Sequence, residues 1–296
     1  MGLDIDGAYV AAAQLDSDGV GRAASHELDP GIVRDGEVAD PDKLGHALKD
    51  FFKSEDLPRR VRLGVANQQI VVRHIEMPKI ANDKERDAAI RFQTAETLAM
   101  PLGDAVIDYQ IVGETQNEDG APRSRVLVVA ARMSMITRLV DSVRQAGLKP
   151  DGIDLNAFAL VRALGDAPEP NSPARVYCHL GGVANVAVGI GPVCLFTRPL
   201  TARWDEGEGS VEALAEEMRL SIEYYLAQAD VPPAGELVLS GPGARIDGLD
   251  ERVTELVGLP TSVAEPLGRL GAAPFPSHED PFRHTVSVGL AMGAAA

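Results

Sequence analysis

Residues 2–15, GLDIDGAYVAAAQL, contain two short apolar runs that are joined by a turn with glycine. Residues 175–190, RVYCHLGGVANVAVGI, repeat this plan, and a third apolar run follows each copy, after Asp18-Gly19 and after Gly191-Pro192. Apolar runs separated by glycine-containing turns are typical of β-hairpins. The repeat therefore predicts two related α/β domains, each of which begins with a hairpin and a third strand.

A further glycine-rich turn ends the run LVLSGPGA at residues 237–244. This density of glycine exceeds what strand packing requires, and glycine lets the backbone approach a ligand closely. Together with the two hairpins, the turn predicts two domains that close on a nucleotide. The alternative is a set of ordinary strand turns, because each short glycine motif is a weak signal when taken alone.

Length and composition limit the class of protein. A chain of 296 residues exceeds one usual hydrophobic core, so two domains are expected. The net charge of −16 repels both nucleic acid and anionic lipid, which favours a protein or a small molecule as partner. No segment has the length of a membrane span or the pattern of a signal peptide, so we expect a cytoplasmic protein without direct membrane insertion. The two cysteines, Cys178 and Cys194, are expected to be small core residues.

The first domain is predicted at residues 1–73, and residues 151–168 with a C-terminal helix at 285–296 complete it. Residues 74–150 form an inserted unit with the order strand, helix, strand, strand, helix, in which the polar stretch 113–124 is expected to be a mobile loop. The insert has no cluster of catalytic side chains, so we interpret it as a module for protein contacts. The stretch DAPEPNSP at residues 166–173 is the predicted linker.

The second domain is predicted at residues 173–284. Its hairpin leads into a helical part at 201–235, in which one long helix covers about 210–228. The strand at Leu237, a short helix near 249–257 and a strand at 260–265 follow.

Four stretches resemble the PilM family of type IV pilus assembly proteins and, more distantly, the cell-division protein FtsA. They are the opening GLDIDGAYVAAAQL, residues 71–113, residues 146–164, and residues 219–230 with their continuation into 237–260. The second stretch is the most specific, because its Pro101, Asp108 and Tyr109 fall where that family places them. The resemblance implies an actin/Hsp70-like two-domain fold of duplicated RNase H-like domains with a nucleotide cleft.

The resemblance also implies a partner. PilM-like proteins bind the short cytoplasmic N-terminal peptide of the membrane protein PilN, which would hold this chain at the inner membrane. The edge of the insert and the adjoining first domain are expected to form the groove for that peptide. Self-association is a further expectation.

The site residues depart from the family's pattern at the phosphate turns. Asp4 matches the family's pattern and is the only catalytic candidate. It is also a weak candidate for a metal ligand, through a bridging water molecule. Asp6 stands in place of a glycine, and His179 stands in place of the second aspartate. A carboxylate opposes a polyphosphate, and neutral histidine prefers softer metals than Mg²⁺. We therefore expect ATP or ADP to bind without a firm Mg²⁺ site and hydrolysis to be impaired.

Other positions match a nucleotide site. The predicted phosphate-side residues are Gly7, Gly181, Gly182 and Asn185, and the predicted purine-side residues are Gly241, Gly243 and Ala244. Glu216 and Arg219 lie one turn apart on the long helix, as related folds place ribose and adenine ligands. The alternative for this pair is a solvated salt bridge within the helix.

Three functions remain open from the sequence. The first is a PilM-like scaffold that binds a partner peptide and has weakened or lost ATP turnover. The second is an active actin-like ATPase whose nucleotide state controls assembly. The third is a sugar or small-acid kinase on the same fold, which would need the acidic group that His179 replaces.

Overall fold

The structure is a computed structural model that describes residues 1–17, 19–95, 98, 100–117, 119–167, 172–204, 209–228, 231–264 and 275–293. The chain forms two compact units. The larger unit contains Met1–Gln68 and Leu139–Ala296, and the smaller unit contains Gln69–Arg138. In the described part of the chain, no helix is long and apolar enough to cross a bilayer.

The first segment of the larger unit supplies six strands and a helix. They are β1 (Gly2–Ile5), β2 (Tyr9–Asp16), β3 (Gly19–Glu27), the short pair β4 (Val33–Arg34) and β5 (Glu37–Val38), α1 (Pro41–Ser54) and β6 (Arg60–Val65). The smaller unit contains β7 (Val71–Pro78), α2 (Asp83–Ala95), β8 (Ala105–Gln116), β9 (Pro122–Arg132) and the start of α3 (Met133–Gln145).

The remaining elements all belong to the larger unit. They are β10 (Lys149–Leu155), α4 (Asn156–Leu164), β11 (Ala174–His179), β12 (Asn185–Ile190), β13 (Val193–Pro199), α5 (Ser210–Leu226), β14 (Ala234–Ser240), α6 (Leu249–Val257), β15 (Thr261–Val263) and α7 (Thr285–Gly293). Short 3-10 helices cover Leu102–Asp104, Pro242–Arg245 and Pro281–Arg283.

The two five-stranded sheets of the larger unit have the same topology. The first has the order β10-β6-β1-β2-β3, and the second has the order β15-β14-β11-β12-β13. In each sheet the central strand pairs parallel on one side and antiparallel with its hairpin partner on the other. The duplicated α/β architecture predicted from the sequence is therefore confirmed. It is the actin/Hsp70-like arrangement of two related domains.

Two helices join the sheets into one core. A side-chain carbon at Gly2 of β1 would lie 1.9 Å from the carbonyl oxygen of Ser287, and one at Gly289 would lie 1.9 Å from that of Ala159. Helix α7 therefore packs against β1 and α4 through small residues. The same core contains Tyr177 of β11, so α4 and α7 connect the two sheets.

The smaller unit is a three-stranded antiparallel sheet with the order β7-β9-β8. Its own core contains Ile75, Ile90 and Val126. Asn82 directly precedes helix α2, and its side-chain oxygen accepts hydrogen bonds from the backbone of Lys84 and Glu85. The helix ends at Ala95, and residues 96, 97 and 99 lie outside the described part.

The sequence analysis was wrong about the polar stretch 113–124. Gly113 pairs with Arg125 and Gln116 pairs with Pro122, so most of the expected loop extends the β8–β9 hairpin. Polar side chains are compatible with this pairing because backbone groups alone form the ladder. The connection is reduced to residues 117–121, of which 118 lies outside the described part.

Strand β10 was missed in the sequence. Its residues KPDGIDL contain a proline and a glycine, which usually mark a turn. The strand is nevertheless at the edge of the first sheet, and its register with β6 shifts between Pro150 and Gly152. A bulge at an edge tolerates both residue types. The compact smaller unit thus ends before β10, whereas the predicted insert was 74–150. In the predicted linker, residues 168–171 lie outside the described part.

Candidate nucleotide cleft

A cleft of about 720 Å³ lies in the larger unit between two turns. We call the turn after β1, at residues 6–8, the first turn, and the turn after β11, at residues 180–184, the second turn. Both turns line the cleft, together with residues 200–204 and Pro242. The duplicated hairpins therefore meet at one opening, as the nucleotide-cleft prediction requires.

The first turn is tight because the backbone of Asp6 donates to the carbonyl of Tyr9 over 2.9 Å. Gly7 has a φ of +94°, which glycine adopts at little cost. This conformation directs the carboxylate of Asp6 across the cleft. Its Oδ1 accepts a hydrogen bond of 2.6 Å from the backbone N–H of Gly182. The two turns are thus joined directly.

The glycines of the second turn are required by this contact. A side-chain carbon at Gly182 would lie 1.7 Å from the backbone oxygen of Asp6, and one at Gly181 would lie 2.7 Å from Asp6 Oδ2. Backbone atoms cannot yield to such a clash, so only glycine fits at residue 182. The glycine pair therefore has a packing reason that does not involve a phosphate.

Two neighbouring carboxyl groups belong to the first turn and the end of β1: Asp6, which is half-buried and lines the cleft, and Asp4, which is buried behind it. Burial raises the pKa of Asp6 to about 6, although the backbone N–H groups of Gly182 and Val183 act in the opposite direction. Burial and the nearby charge of Asp6 raise the pKa of Asp4 well above its usual value. Asp4 is 1% exposed, and its Oδ1 accepts from Asn156 over 3.1 Å. Both acids therefore hold a proton more tightly than they would in water.

His179 occupies the second turn's expected aspartate position. It is buried, and burial lowers its pKa to about 4, so the imidazole is neutral at neutral pH. Its Nδ1 lies 3.1 Å from the hydroxyl oxygen of Ser240, whereas its Nε2 has no hydrogen-bond partner among the described residues. Asp4 Oδ2 and Asp6 Oδ2 likewise have no hydrogen-bond partner among the described residues. A neutral imidazole therefore stands beside two carboxyl groups with raised pKa values, in place of a second acid.

The purine side of the cleft is filled by the chain's single tryptophan. A side-chain carbon at Gly243 would lie 2.6 Å from Trp204 Cδ2 and 2.8 Å from Leu180 Cβ. The indole N–H of Trp204 donates to the carbonyl of Gly181 over 2.8 Å. The ring therefore packs over Gly243, where the sequence analysis expected room for a base.

The other predicted ligands lie in separate environments. Asn185 begins β12, and its side-chain oxygen accepts from the hydroxyl of Thr197 over 2.9 Å. Gly241 has a φ of +85° and is followed by Ala244 in a buried 3-10 turn. Glu216 and Arg219 form a salt bridge of 2.7 Å, and Arg219 also pairs with Glu223. Neither residue of the pair is among the described residues that line the cleft.

The comparisons with known proteins agree with this architecture. The family model of type IV pilus assembly protein PilM matches residues 2–171, which is more than half of the chain. The chain belongs to the PilM family. Membership confirms the resemblance seen in the sequence and places the chain in type IV pilus assembly.

Solved structures show the same fold across the whole chain. The structure titled PilM-PilN type IV pilus biogenesis complex is 21% identical, covers 100% of this chain and 98% of that chain, and has a TM-score of 0.84. The cytoplasmic domain of EpsL, an inner-membrane component of the type II secretion system of Vibrio cholerae, is 13% identical, with coverage of 99% and 93% and a TM-score of 0.53. The ethanolamine utilization protein EutJ of Carboxydothermus hydrogenoformans is also 13% identical, with coverage of 98% and 88% and a TM-score of 0.51.

The arrangement of this family member's cleft does not fit a Mg²⁺-nucleotide. The second turn's amide at Gly182 is already bonded to Asp6, and the ring over Gly243 is Trp204. Within the described residues there is no group of three His, Cys, Asp or Glu side chains that could hold a metal ion. Among the described carboxylates, only Asp4 Oδ2 and Asp6 Oδ2 are buried oxygens without a hydrogen-bond partner, and two such oxygens do not complete a site for Mg²⁺. We therefore derive no hydrolytic step through this cleft.

Three residues of the site were not predicted from the sequence: Trp204, Asn156 and Arg283. Arg283 lines the cleft, pairs with Glu27 over 2.5 Å and lies 5.0 Å above the ring of Tyr9. A lone tryptophan in a chain with only 4% aromatic residues was a usable signal. Asn156 and Arg283 had none, because their partners are more than 100 residues away in the sequence.

Proposed function

We propose that this protein is a scaffold of the type IV pilus assembly machinery that binds the N-terminal cytoplasmic segment of a PilN-like membrane protein. The partner would hold the chain at the inner face of the membrane, and ATP hydrolysis would be weakened or lost. The observation that carries the proposal is family membership together with the full-length likeness to a protein whose structure is titled a PilM-PilN complex.

The smaller unit offers a surface for an extended peptide. Strand β8 is an edge of the three-stranded sheet and is 12 residues long. Peptides commonly add a strand to such an edge, where backbone hydrogen bonds give affinity and side chains give specificity. Val106 and Ile111 of β8 are exposed to 38% and 43%, so the edge combines free backbone groups with apolar side chains.

The proposal also accounts for the design of the smaller unit. It has its own core around Ile90, yet its described residues contain no candidate metal site and none of the predicted catalytic groups. A separately folded sheet with an exposed apolar edge is suited to binding a partner. Weakened ATP turnover is supported by the Asp6–Gly182 contact and by the neutral His179.

Titration of the purified protein with a peptide of the PilN-like protein's cytoplasmic N-terminus tests the binding role. We expect micromolar affinity and a modest dependence on salt, since backbone pairing and apolar contacts dominate. Replacing Ile111 by lysine on the β8 edge should weaken binding about tenfold or more, because one lost apolar contact and a buried charge exceed 1.4 kcal/mol.

The matched control is Leu220→Lys on α5 of the larger unit, because Leu220 is exposed to 43%, as Ile111 is. This variant should bind the peptide with wild-type affinity. A peptide that does not bind the intact protein would refute the scaffold proposal. Equal loss in both variants would show that the peptide responds to charge in general and does not use the β8 edge.

A further inference from the structure

We propose that Asp6 is an internal anion that latches the first and second turns together where a nucleotide phosphate would otherwise bind, with Trp204 filling the ring side of the same cleft. The inference deepens the proposed loss of nucleotide turnover and rests on it. It attributes that loss to the side chains of Asp6 and Trp204. It predicts that substitution of Asp6 restores the binding of phosphate groups.

The backbone N–H groups of the second turn are suited to binding an anion. Consecutive N–H groups in a glycine turn form a concave site that binds phosphate or carboxylate. Here the N–H of Gly182 is bonded to the Asp6 carboxylate over 2.6 Å, and the N–H of Val183 also acts on that carboxylate. A phosphate oxygen would need the same donors. The carboxylate therefore occupies the position that a phosphate would take.

The two turns are also too close for a phosphate to lie between them. The missing side-chain carbon at Gly182 would lie only 1.7 Å from the backbone oxygen of Asp6. Backbone of one turn thus contacts backbone of the other, in addition to the side-chain bond. A tetrahedral anion could enter only if the first turn moved away and the hydrogen bond from Gly182 were broken.

The charges around Asp6 would also repel an incoming anion. Asp4 lies close enough to be electrostatically coupled to Asp6, and the Tyr9 hydroxyl and neutral His179 are buried beside them. Arg283 is the cation that acts on Asp6, but its guanidinium is paired with Glu27. A polyphosphate at this point would meet at least one carboxylate at short range, which costs on the order of kcal/mol in a partly desolvated site.

The ring side supplies independent support. Trp204 stacks on Gly243 and anchors its indole N–H on Gly181, the residue beside the latch. The ring of Trp204 on the turn at residues 241–244 thus takes the place of a base. The carboxylate of Asp6 on the second turn takes the place of a phosphate. The cleft that remains, about 720 Å³, lies beside these groups.

Calorimetric titration with inorganic pyrophosphate, without added metal, tests the latch. Wild-type protein should bind pyrophosphate only weakly, near the lower limit of the measurement. Asp6→Ala removes the carboxylate and frees the amides, so pyrophosphate should bind at least about tenfold more tightly than to wild type, the effect of removing one repulsion of about 1.4 kcal/mol. Asp6→Asn is the matched control: its amide oxygen can still accept from Gly182, so binding should stay closer to wild type than to Asp6→Ala.

Pyrophosphate binding that is equal in wild type and Asp6→Ala would overturn the proposal, as would absence of binding in both. If Asp6→Ala does not fold, NMR of the wild-type protein tests the proposal. The Gly182 amide proton should shift with pH as Asp6 titrates near its pKa of about 6. A Gly182 amide that does not respond between pH 5 and 7 would show that Asp6 does not hold it in solution.

These outcomes are separable from those of the peptide titration. Peptide binding that fails while Asp6→Ala gains pyrophosphate would refute the scaffold role and leave the latch in place. If the peptide binds but neither wild type nor Asp6→Ala binds pyrophosphate, the scaffold role stands and the latch is refuted.

Discussion

The indole of Trp204 covers Gly243 so closely that a methyl group at residue 243 would lie 2.6 Å from Trp204 Cδ2. Gly243→Ala should therefore destabilise the larger unit by about 1–3 kcal/mol, the usual effect of overpacking. Tryptophan fluorescence should change in the same variant, because the chain has one tryptophan. Chemical unfolding monitored by tryptophan fluorescence measures both the free energy of unfolding and the change in fluorescence.

Gly103→Ala is the control for this prediction, since nothing lies within 4 Å of its missing side chain and its backbone is not in the left-handed region. It should change stability by a few tenths of a kcal/mol at most. A Gly243→Ala protein as stable as wild type, with unchanged fluorescence, would mean that the indole does not pack there.

A carboxylate at residue 179 should be tolerated poorly. His179→Asp would bury a further acid beside Asp6, and both burial and that neighbour would raise its pKa. An acid with a raised pKa in the folded state contributes stability at low pH that is lost as the pH rises through that pKa. The variant should therefore be less stable than wild type by about 2–4 kcal/mol at pH 7 and by less at pH 5.

His179→Asn is the reference for this prediction, because it is uncharged and, like His179→Asp, lacks the imidazole whose pKa of about 4 makes wild type less stable at pH 5 than at pH 7. The deficit of His179→Asp relative to His179→Asn should be larger at pH 7 than at pH 5. Urea unfolding of both variants at the two pH values measures it. A His179→Asp protein whose deficit relative to His179→Asn is the same at both pH values would contradict the electrostatic account of these groups.

Glu279 should stabilise the protein most at neutral pH. Its carboxylate accepts hydrogen bonds from His284 over 2.9 Å and from the Ser25 hydroxyl over 2.7 Å. Burial by itself would raise the pKa of Glu279, but these bonds outweigh it and lower the pKa to about 2. The stabilisation is then present above the ordinary value of 4.5 and is lost as the pH falls through about 2.

Glu279→Gln should accordingly reduce the free energy of unfolding by roughly 1–3 kcal/mol at pH 7, and the deficit should shrink in acid. Glu251→Gln on the exposed side of α6 is the matched control and should change stability little. Acid titrations of unfolding in both variants test the claim, which fails if the Glu279→Gln deficit does not diminish below pH 4.

Hydrolysis of ATP should be at background. Asp4 is buried and hydrogen-bonded to Asn156, and the second turn supplies a neutral histidine where the family pattern has an acid. A phosphate-release assay with and without Mg²⁺ should give no difference between the protein and buffer. Release that requires Mg²⁺ and disappears in a folded Asp4→Ala variant would restore the active ATPase alternative.

The sequence was sufficient for the fold because its strongest signals are local. Two hairpins with glycine turns, each followed by a third strand, predict the same plan twice. The missed strand β10 shows the limit of this approach: pairing with β6 outweighs the turn preference of Pro150 and Gly152.

The site was harder to predict because its decisive contacts are long-range. Asp6 and Gly182 are 176 residues apart in the sequence, and whether that carboxylate faces a ligand or a backbone amide depends on how closely the two turns approach. The sequence predicts Asp6 as an obstacle to phosphate, which stays a prediction, and it gave no reason to pair Asp6 with Gly182. Gly241 and Gly243 stay predictions as nucleotide ligands.

The burial of β1 under α7 also has a consequence for how the protein forms during translation. Gly2 lies against Ser287, so β1 receives its cover only when residues near 285, almost the whole given sequence later, have been made. Residues 69–138 contain all the strands of their own sheet and can fold while synthesis continues. The N-terminal hairpin, by contrast, has to wait as a partly exposed apolar segment. It is the part of the nascent chain for which we would look first for chaperone contacts.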